Sequence, residues 1–400
     1  MRLTAWGAMF LYIMDCSDIG DNLLDFAEAR KDFPITLRRS YLNAASLAPM
    51  SNRVIGAVNS LLCDLQLNGR NNSPHRNAYA ENHLRPNLAA LIGAHPSEIA
   101  FIKNTTEGLN IVANSLPWKA GDNVVLANIE YPSNAYCWLN LRARGVDVRW
   151  VDARQDGRVP VERIADAIDR STRLVSISAV QFSSGFAQDL ERTGELCLGR
   201  GILLNYDGIQ AVGSTGVDVS RYHLDFLSAG GHKWLAGPMG TGLFYCRASS
   251  LHHLTPHAIG PGSMRNEETD IEYDLDYMHR DARRFEEALP NYPGLWGLDA
   301  AVTTLRQIGL RHVAEHTLAL TRVAADKVQA IGYKVHSSLK DGERSGILCF
   351  RHPTLPSEDV SRRLADAGVD VTVRQGNIRI SPHFYNNLDD IDALTAALPA

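Results

Sequence analysis

From Glu98 onward, short apolar runs alternate with stretches of helical spacing. E-I-A-F-I (Glu98 to Ile102), N-V-V-L-A (Asn123 to Ala127), V-D-V-R-W-V (Val146 to Val151) and R-L-V-S-I-S (Arg173 to Ser178) read as strands. So do I-L-L-N-Y-D (Ile202 to Asp207), D-F-L-S-A (Asp225 to Ala229) and G-L-F-Y-C (Gly242 to Cys246). Helix-length segments such as Thr106 to Ser115 and Val161 to Asp169 lie between them. This alternation predicts an α/β fold with a mostly parallel seven-stranded sheet and helices on both faces. Upstream, Asp21 to Lys31 has apolar residues at helical spacing, ended by Pro34.

Downstream, R-R-F-E-E-A-L-P-N-Y-P-G-L-W-G (Arg283 to Gly297) breaks regular structure with its prolines and glycines. A long helical pattern then runs from Leu298 to about Ile331. Strand-like pieces follow at Gly346 to Phe350, Val369 to Val373 and Asn377 to Ser381, with a last helix near Leu388 to Leu398. The pattern divides the chain into an N-terminal extension with a helix (1–40), a large domain (41–297) and a smaller C-terminal α+β domain (298–400).

Composition narrows the classes. The 400 residues are 45% hydrophobic and 21% charged, with a net charge of -5, as expected of a soluble globular protein. There is no basic face of the kind a nucleic-acid binder shows. Six cysteines are scattered singly, without a C-x-x-C pair, which gives no zinc site or redox dithiol and reads as small core residues. That usage fits a reducing compartment, the cytoplasm. The apolar stretch Ala5 to Met14 is too short for a membrane span, so no membrane association is expected. It resembles the start of a secretory signal, but no A-x-A cleavage site follows, and Met9 and Met14 offer downstream starts.

Ligands of such sheets bind beyond the carboxyl ends of the strands. Four stretches there carry possible chemistry. S-A-G-G-H-K-W-L-A-G-P-M-G-T-G-L-F-Y (Ser228 to Tyr245) sets Lys233 in a glycine-rich turn beside Trp234 and Leu235. It is either an exposed loop lysine or a partly desolvated amine able to act as nucleophile or base. In I-L-L-N-Y-D-G-I-Q (Ile202 to Gln210), Asp207 ends a strand and is either a cap or a functional acid, with Gln210 three residues on. Thr105 and Thr106 open a helix and offer either a plain cap or an anion seat. Tyr131 follows another strand end, to stack on a planar ligand or to pack. Together, a phosphate seat, an aromatic face, an acid and a lysine are what pyridoxal 5′-phosphate requires. In the polar segment Gly69 to Asn77, Arg70, His75 and Arg76 are either substrate contacts or solvated surface.

From Y-L-N-A-A-S (Tyr41 to Ser46) to R-I-S-P-H-F-Y-N (Arg379 to Asn386), these motifs in this order resemble the class V aminotransferase family of fold-type-I pyridoxal-phosphate enzymes. G-H-K-W-L and V-Q-F-S-S-G (Val180 to Gly185) lean toward its isopenicillin N epimerase-like branch. The resemblance implies a Schiff base on Lys233, which later moves the Cα proton. It implies that Asp207 pairs with the pyridine nitrogen and that Gln210 bonds the phenolic oxygen. Thr105, Thr106 and His232 would hold the phosphate, Arg379 the substrate carboxylate, and Asn43 and its neighbours would line the substrate side. A homodimer with shared sites is also implied.

The sequence departs from that pattern at three places. Tyr131 stands where desulfurases have a stacking histidine. Val369 to Arg379 lacks the nucleophilic cysteine of desulfurases, from which the chain is expected not to be a cysteine desulfurase. Leu289 replaces a threonine that reaches the partner's phosphate, with Asn291 or Tyr292 as substitutes. The expected activity is a C–S or β-elimination lyase or an aminotransferase of specialised metabolism acting on an amino acid. Epimerisation and decarboxylation-dependent oxidative deamination are the alternatives, and a non-enzymatic cofactor-binding regulator is disfavoured.

Overall fold

A computed structural model describes residues 24–265 and 273–399. The first strand, β1 (Ser40–Tyr41), belongs to a small two-stranded sheet discussed below. The next seven are β2 (Ile99–Phe101), β3 (Asn123–Ala127), β4 (Asp147–Val151), β5 (Thr172–Ser178), β6 (Leu203–Asp207), β7 (Phe226–Gly230) and β8 (Gly242–Cys246). They form one sheet in the order β2-β8-β7-β6-β5-β3-β4. Only β8 runs against its neighbours. The seven-stranded, mostly parallel sheet expected from the pattern is present, with boundaries within a residue or two.

Alternation builds the two faces. Val124 and Leu126 pack into one core cluster with Leu174, Phe226 and Phe244. Val125 and Ala127 pack into the other with Val175, Ile177, Leu204 and Tyr206. Successive side chains of a strand point to opposite faces, so each strand feeds both layers. The helix Thr105–Ser115 lies close on β7 because Gly108 faces Ser228. A Cβ at Gly108 would stand 2.3 Å from Ser228 Oγ.

The C-terminal strands are β9 (Lys334–Val335), β10 (Leu348–Arg351), β11 (Val369–Asp370), β12 (Thr372–Arg374) and β13 (Asn377–Ile380). β12-β13-β10-β9 form an antiparallel sheet around Leu348, Phe350, Ile378, Ile380 and Leu394. β1 pairs in parallel with β11, and Leu42 is buried in this same cluster. The segment after β1 is thereby led to β13, where Asn43 bridges Ser381.

Several expectations change in detail. The long helical pattern is two helices, Tyr292–Ile308 and Leu310–Ala330, separated by Gly309 at φ 88°. Position 297 lies within the first of them. Of the Asp21 to Lys31 helix, Phe26–Lys31 is observed, while residues 21–23 lie outside the described residues. So do the apolar N-terminal stretch and Cys16. Cys137, Cys197, Cys246 and Cys349 are buried as core residues, but Cys63 is exposed. Among the described residues, no helix is long and apolar enough to cross a membrane.

Candidate active site

A cavity of about 280 Å³ opens at the carboxyl ends of the large sheet, beside the antiparallel C-terminal sheet. Thr105, Thr106, Tyr131, Asp207, Gln210, His232, Lys233 and Arg379 all line it. Asn43 does not. Its Oδ1 accepts a hydrogen bond from Thr372 Oγ1 at 2.7 Å, and Ala45 and Ser46 of the same segment reach the cavity instead. Arg76 is also elsewhere, buried and paired with Asp64 at 2.7 Å on the helix Ser73–Tyr79.

Lys233 sits in the connection from β7 to β8. Gly231 N bonds Thr241 O at 2.7 Å, and Ala236, at φ 52°, donates its N–H to Lys233 O at 2.8 Å. Trp234 is fully buried and its Nε1 donates to Gln210 Oε1 at 2.8 Å. Among the described residues, nothing hydrogen-bonds or pairs with the Lys233 amine, and its Nζ lies 5.4 Å from the Tyr131 ring centroid. Burial pulls its pKa down to about 8 against the opposing pull of Asp207, with Arg379 and Arg374 lowering it further.

Asp207 ends β6 and is 2% exposed. Its Oδ1 accepts from Ile209 N at 3.0 Å, and no described hydrogen bond is made to Oδ2. Burial raises its pKa to about 7. Gln210 Nε2 donates to Ala45 O at 3.0 Å, which fixes the amide and leaves its second N–H for a ligand.

Thr105 and Thr106 start the helix Thr105–Ser115, capped by Asn104, whose Oδ1 accepts from Glu107 N at 3.0 Å. Thr105 Oγ1 accepts from Gly230 N at 2.9 Å, tying the helix start to the end of β7. Thr106 Oγ1 donates to Ser133 Oγ at 2.8 Å. Helix-start amides with two hydroxyls and the imidazole of His232 make an anion seat. Burial and the Lys233 charge keep the His232 pKa low.

Arg379 is 1% exposed. Its Nη1 donates to Phe182 O at 2.8 Å and its Nη2 to Ser46 Oγ at 2.7 Å, while Nε has no partner. No carboxylate answers its charge among the described residues, and burial lowers its pKa to about 10. A buried cation left unpaired costs several kcal/mol, so the site is built to receive an anion. The Tyr131 ring, 42% exposed, stands edge-on to Phe182 at 5.2 Å.

These residues fit pyridoxal 5′-phosphate. An amine without a partner, a buried acid with an open oxygen, a helix-start anion seat and a ring face meet in one cavity. Sequence reasoning missed Ser133, Phe182 and Arg374 on the cavity wall, and Glu130 behind it.

The aminotransferase class-V family model matches residues 40–394. The chain belongs to that family. Its cofactor is pyridoxal 5′-phosphate. A relative named probable cysteine desulfurase, from Methanothermobacter thermautotrophicus, is 32% identical over 393 residues, covering 93% of this chain and 96% of that protein. The apo structure of cysteine desulfurase from Thermococcus onnurineus NA1 superposes with a TM-score of 0.83 at 25% identity, covering 92% of this chain and 95% of the other. A lysine-to-alanine variant of C-DES, with glycine covalently linked to the PLP cofactor, shares the fold at a TM-score of 0.85 and 22% identity, covering 92% and 98%.

These relatives overturn the exclusion of cysteine desulfurases drawn from the sequence. That exclusion rested on one segment, Val369 to Arg379, which has no cysteine. It set one segment against a likeness that spans 93% of the chain.

Proposed function

We propose that this chain is a pyridoxal-phosphate-dependent lyase that breaks the Cβ–S bond of cysteine or a cysteine conjugate. The observation that carries the reading is the Arg379 guanidinium, buried without an anion in the same cavity as the unpartnered Lys233 amine. The names of the family relatives support sulfur amino acids as the substrate class.

Bound here, the cofactor supplies an electron sink for the pair left at Cα when its proton departs. The chain's own groups do the rest. Lys233 would hold the cofactor covalently and would move the proton at Cα. With a pKa of about 8, about one amine in ten is neutral at pH 7, against about one in 3,000 for an ordinary lysine. Asp207 keeps a proton on the ring nitrogen. Arg379 takes the α-carboxylate through its planar fork. Thr105, Thr106 and His232 hold the phosphate, Gln210 the phenolic oxygen, and Tyr131 covers the ring. Unpaired Cys63, Cys137, Cys197, Cys246 and Cys349 support a reducing, cytoplasmic setting. The exposed Met239 and Leu289, on segments joined by the Asn291 Nδ2 to Gly240 O bond, support a homodimer contact beside the site.

The test is mass spectrometry of products from cysteine, cystine and cysteine S-conjugates. Release of a sulfur fragment with alanine or pyruvate supports C–S cleavage. A keto acid that keeps its side chain, with no sulfur released, would replace this reading by amino transfer.

A further inference from the structure

Glu130 immediately precedes Tyr131 but does not line the cavity. Its carboxylate is buried and has four donors. Oε1 accepts from Ser178 N at 3.0 Å and Gln181 Nε2 at 2.7 Å. Oε2 accepts from Asn134 Nδ2 at 2.9 Å and Ser178 Oγ at 2.5 Å. No lysine or arginine pairs with it among the described residues. The network continues inward: Asn134 Oδ1 accepts from Trp138 Nε1 at 3.0 Å and Ser176 Oγ at 2.6 Å, and Asn205 Nδ2 donates to Ser176 Oγ at 2.9 Å. The start of the helix Ser133–Leu139 is thereby fixed to β5 and β6.

Two consequences reach the cavity. Tyr131 and Ser133, which line it, are held by the residues between which they alternate, Glu130 and Asn134. Ser178, bonded twice to Glu130, is also the register partner of Asp207 on β6, and Ala179 N donates to Asp207 O at 2.9 Å. Glu130 is thus a second buried negative group behind Asp207, and the two repel. Burial, the largest influence, raises the Glu130 pKa above the usual carboxylate range, while Ser178 N, Gln181 Nε2 and Asn134 Nδ2, which can only donate, pull it back toward the anion. A buried charge without a cation is costly, and an amide would fill the same space more cheaply.

We propose that Glu130 is a positioning residue of the cofactor site. It clamps the segment bearing Tyr131 and Ser133 to β5, and its fixed negative charge strengthens the hold of Asp207 on a proton at the cofactor's ring nitrogen. The second effect rests on the role proposed above for Asp207. The charged groups acting on Asp207 are Glu130 and Lys233, with the thiol of Cys137 nearby. Those acting on Lys233 are Asp207, Arg379 and Arg374, and Lys233 in turn acts on His232.

The test uses the holoenzyme with Glu130→Gln. The amide keeps the volume, its oxygen retains Ser178 N and Gln181, and its nitrogen donates to Ser178 Oγ, so only the Asn134 bond and the charge are lost. The pH midpoint of the cofactor's visible band is expected to fall by about one unit, since a nearby anion favours protonated forms. kcat is expected to fall about tenfold, with KM within twofold. Glu130→Asp keeps the charge but shortens the clamp, and is expected to restore the midpoint while kcat stays low. If Glu130→Gln lowers only the melting temperature, leaving midpoint and kcat within error, the proposal is overturned. If Glu130→Gln does not fold, Glu130→Asp decides: unchanged kcat overturns the clamp, and reduced kcat at a normal midpoint supports it. Asp207→Asn separates the two readings. If it leaves the midpoint unmoved, the role of Asp207 fails; if it moves the midpoint and Glu130→Gln does not, only the role of Glu130 fails.

Discussion

The cavity at the carboxyl ends of the strands has a larger counterpart, about 380 Å³, at their amino ends, where Thr172, Leu203 and Asp225 lie beside Arg247. Both are lined by charged residues, yet they differ in how those charges are answered. In the amino-end cavity, Asp225 Oδ2 accepts from Leu204 N at 2.8 Å and Oδ1 accepts from Ser250 Oγ. Arg247 donates to Leu224 O at 2.7 Å, Tyr222 O at 2.5 Å and Val219 O at 3.2 Å. These groups are spent on stitching strand starts and loops together. At the carboxyl ends, among the described residues, the Lys233 amine and Arg379 Nε have no hydrogen-bond partner and Asp207 has an open oxygen. Volume therefore does not mark the reactive end; unanswered charge does.

The sharpest way to break this comparison is Lys233→Ala. Turnover is expected to fall about a thousandfold or more, with the cofactor no longer held covalently, as mass spectrometry of the borohydride-reduced protein would read. Full turnover in that variant would remove the basis of the assignment. Arg379→Leu comes next. kcat/KM is expected to drop about a hundredfold to a thousandfold, with Arg379→Lys between it and the parent because the charge survives but the fork does not. Steady-state kinetics on the best substrate would show it.

A smaller effect concerns pH. Lys233 attacks the cofactor's carbonyl only as the neutral amine, and its pKa is lowered to about 8. The neutral fraction grows as pH rises, so reconstitution of the apoprotein should speed up about tenfold per unit below pH 8 and level off above it. An ordinary lysine would still be gaining at pH 10. Stopped-flow absorbance separates the two profiles. Smallest in its effect on turnover is Asp225→Asn at the other cavity. It should cost about 1–3 kcal/mol of stability by leaving a partner unmatched, with activity per folded molecule within twofold. Calorimetry beside an activity assay measures both. A large catalytic loss there would mean that the two ends are coupled.

The sheet was readable because buried parallel strands are short apolar runs between helical stretches, as Asn123 to Ala127 shows. Lys233 and Asp207 were legible as candidates because they close local motifs at strand ends, and Arg379 through the family resemblance; all three line the cavity. The contact of Ser46 with Arg379 was not legible, because it exists only once β1 has paired with β11 and carried the following segment to β13. Arg374 was passed over because it directly follows what reads as one strand from Val369 to Val373; the chain instead makes two short strands, the second ending at Arg374, and a tight turn at Gln375 and Gly376, both at positive φ. Glu130 was passed over because carboxylates are ordinarily exposed. Gly309 carried too weak a local signal to split the long helical pattern.

The reversed strand β8 has a further consequence. Gly230 and Gly242 are register partners, so the segment 231–241 leaves and re-enters the sheet at adjacent points. In polymer terms it is a short ring closed by the ladder, whose closure entropy is small and is met by the strands themselves. Met239 and Gly240 are the exposed residues of the ring, whereas Lys233 is buried. A chain divided between those two residues would keep Lys233 on one fragment and Arg379 on the other. Each fragment would retain the strand that recognises its mate, so reassembly of the two would report on the sheet and the reactive centre at once.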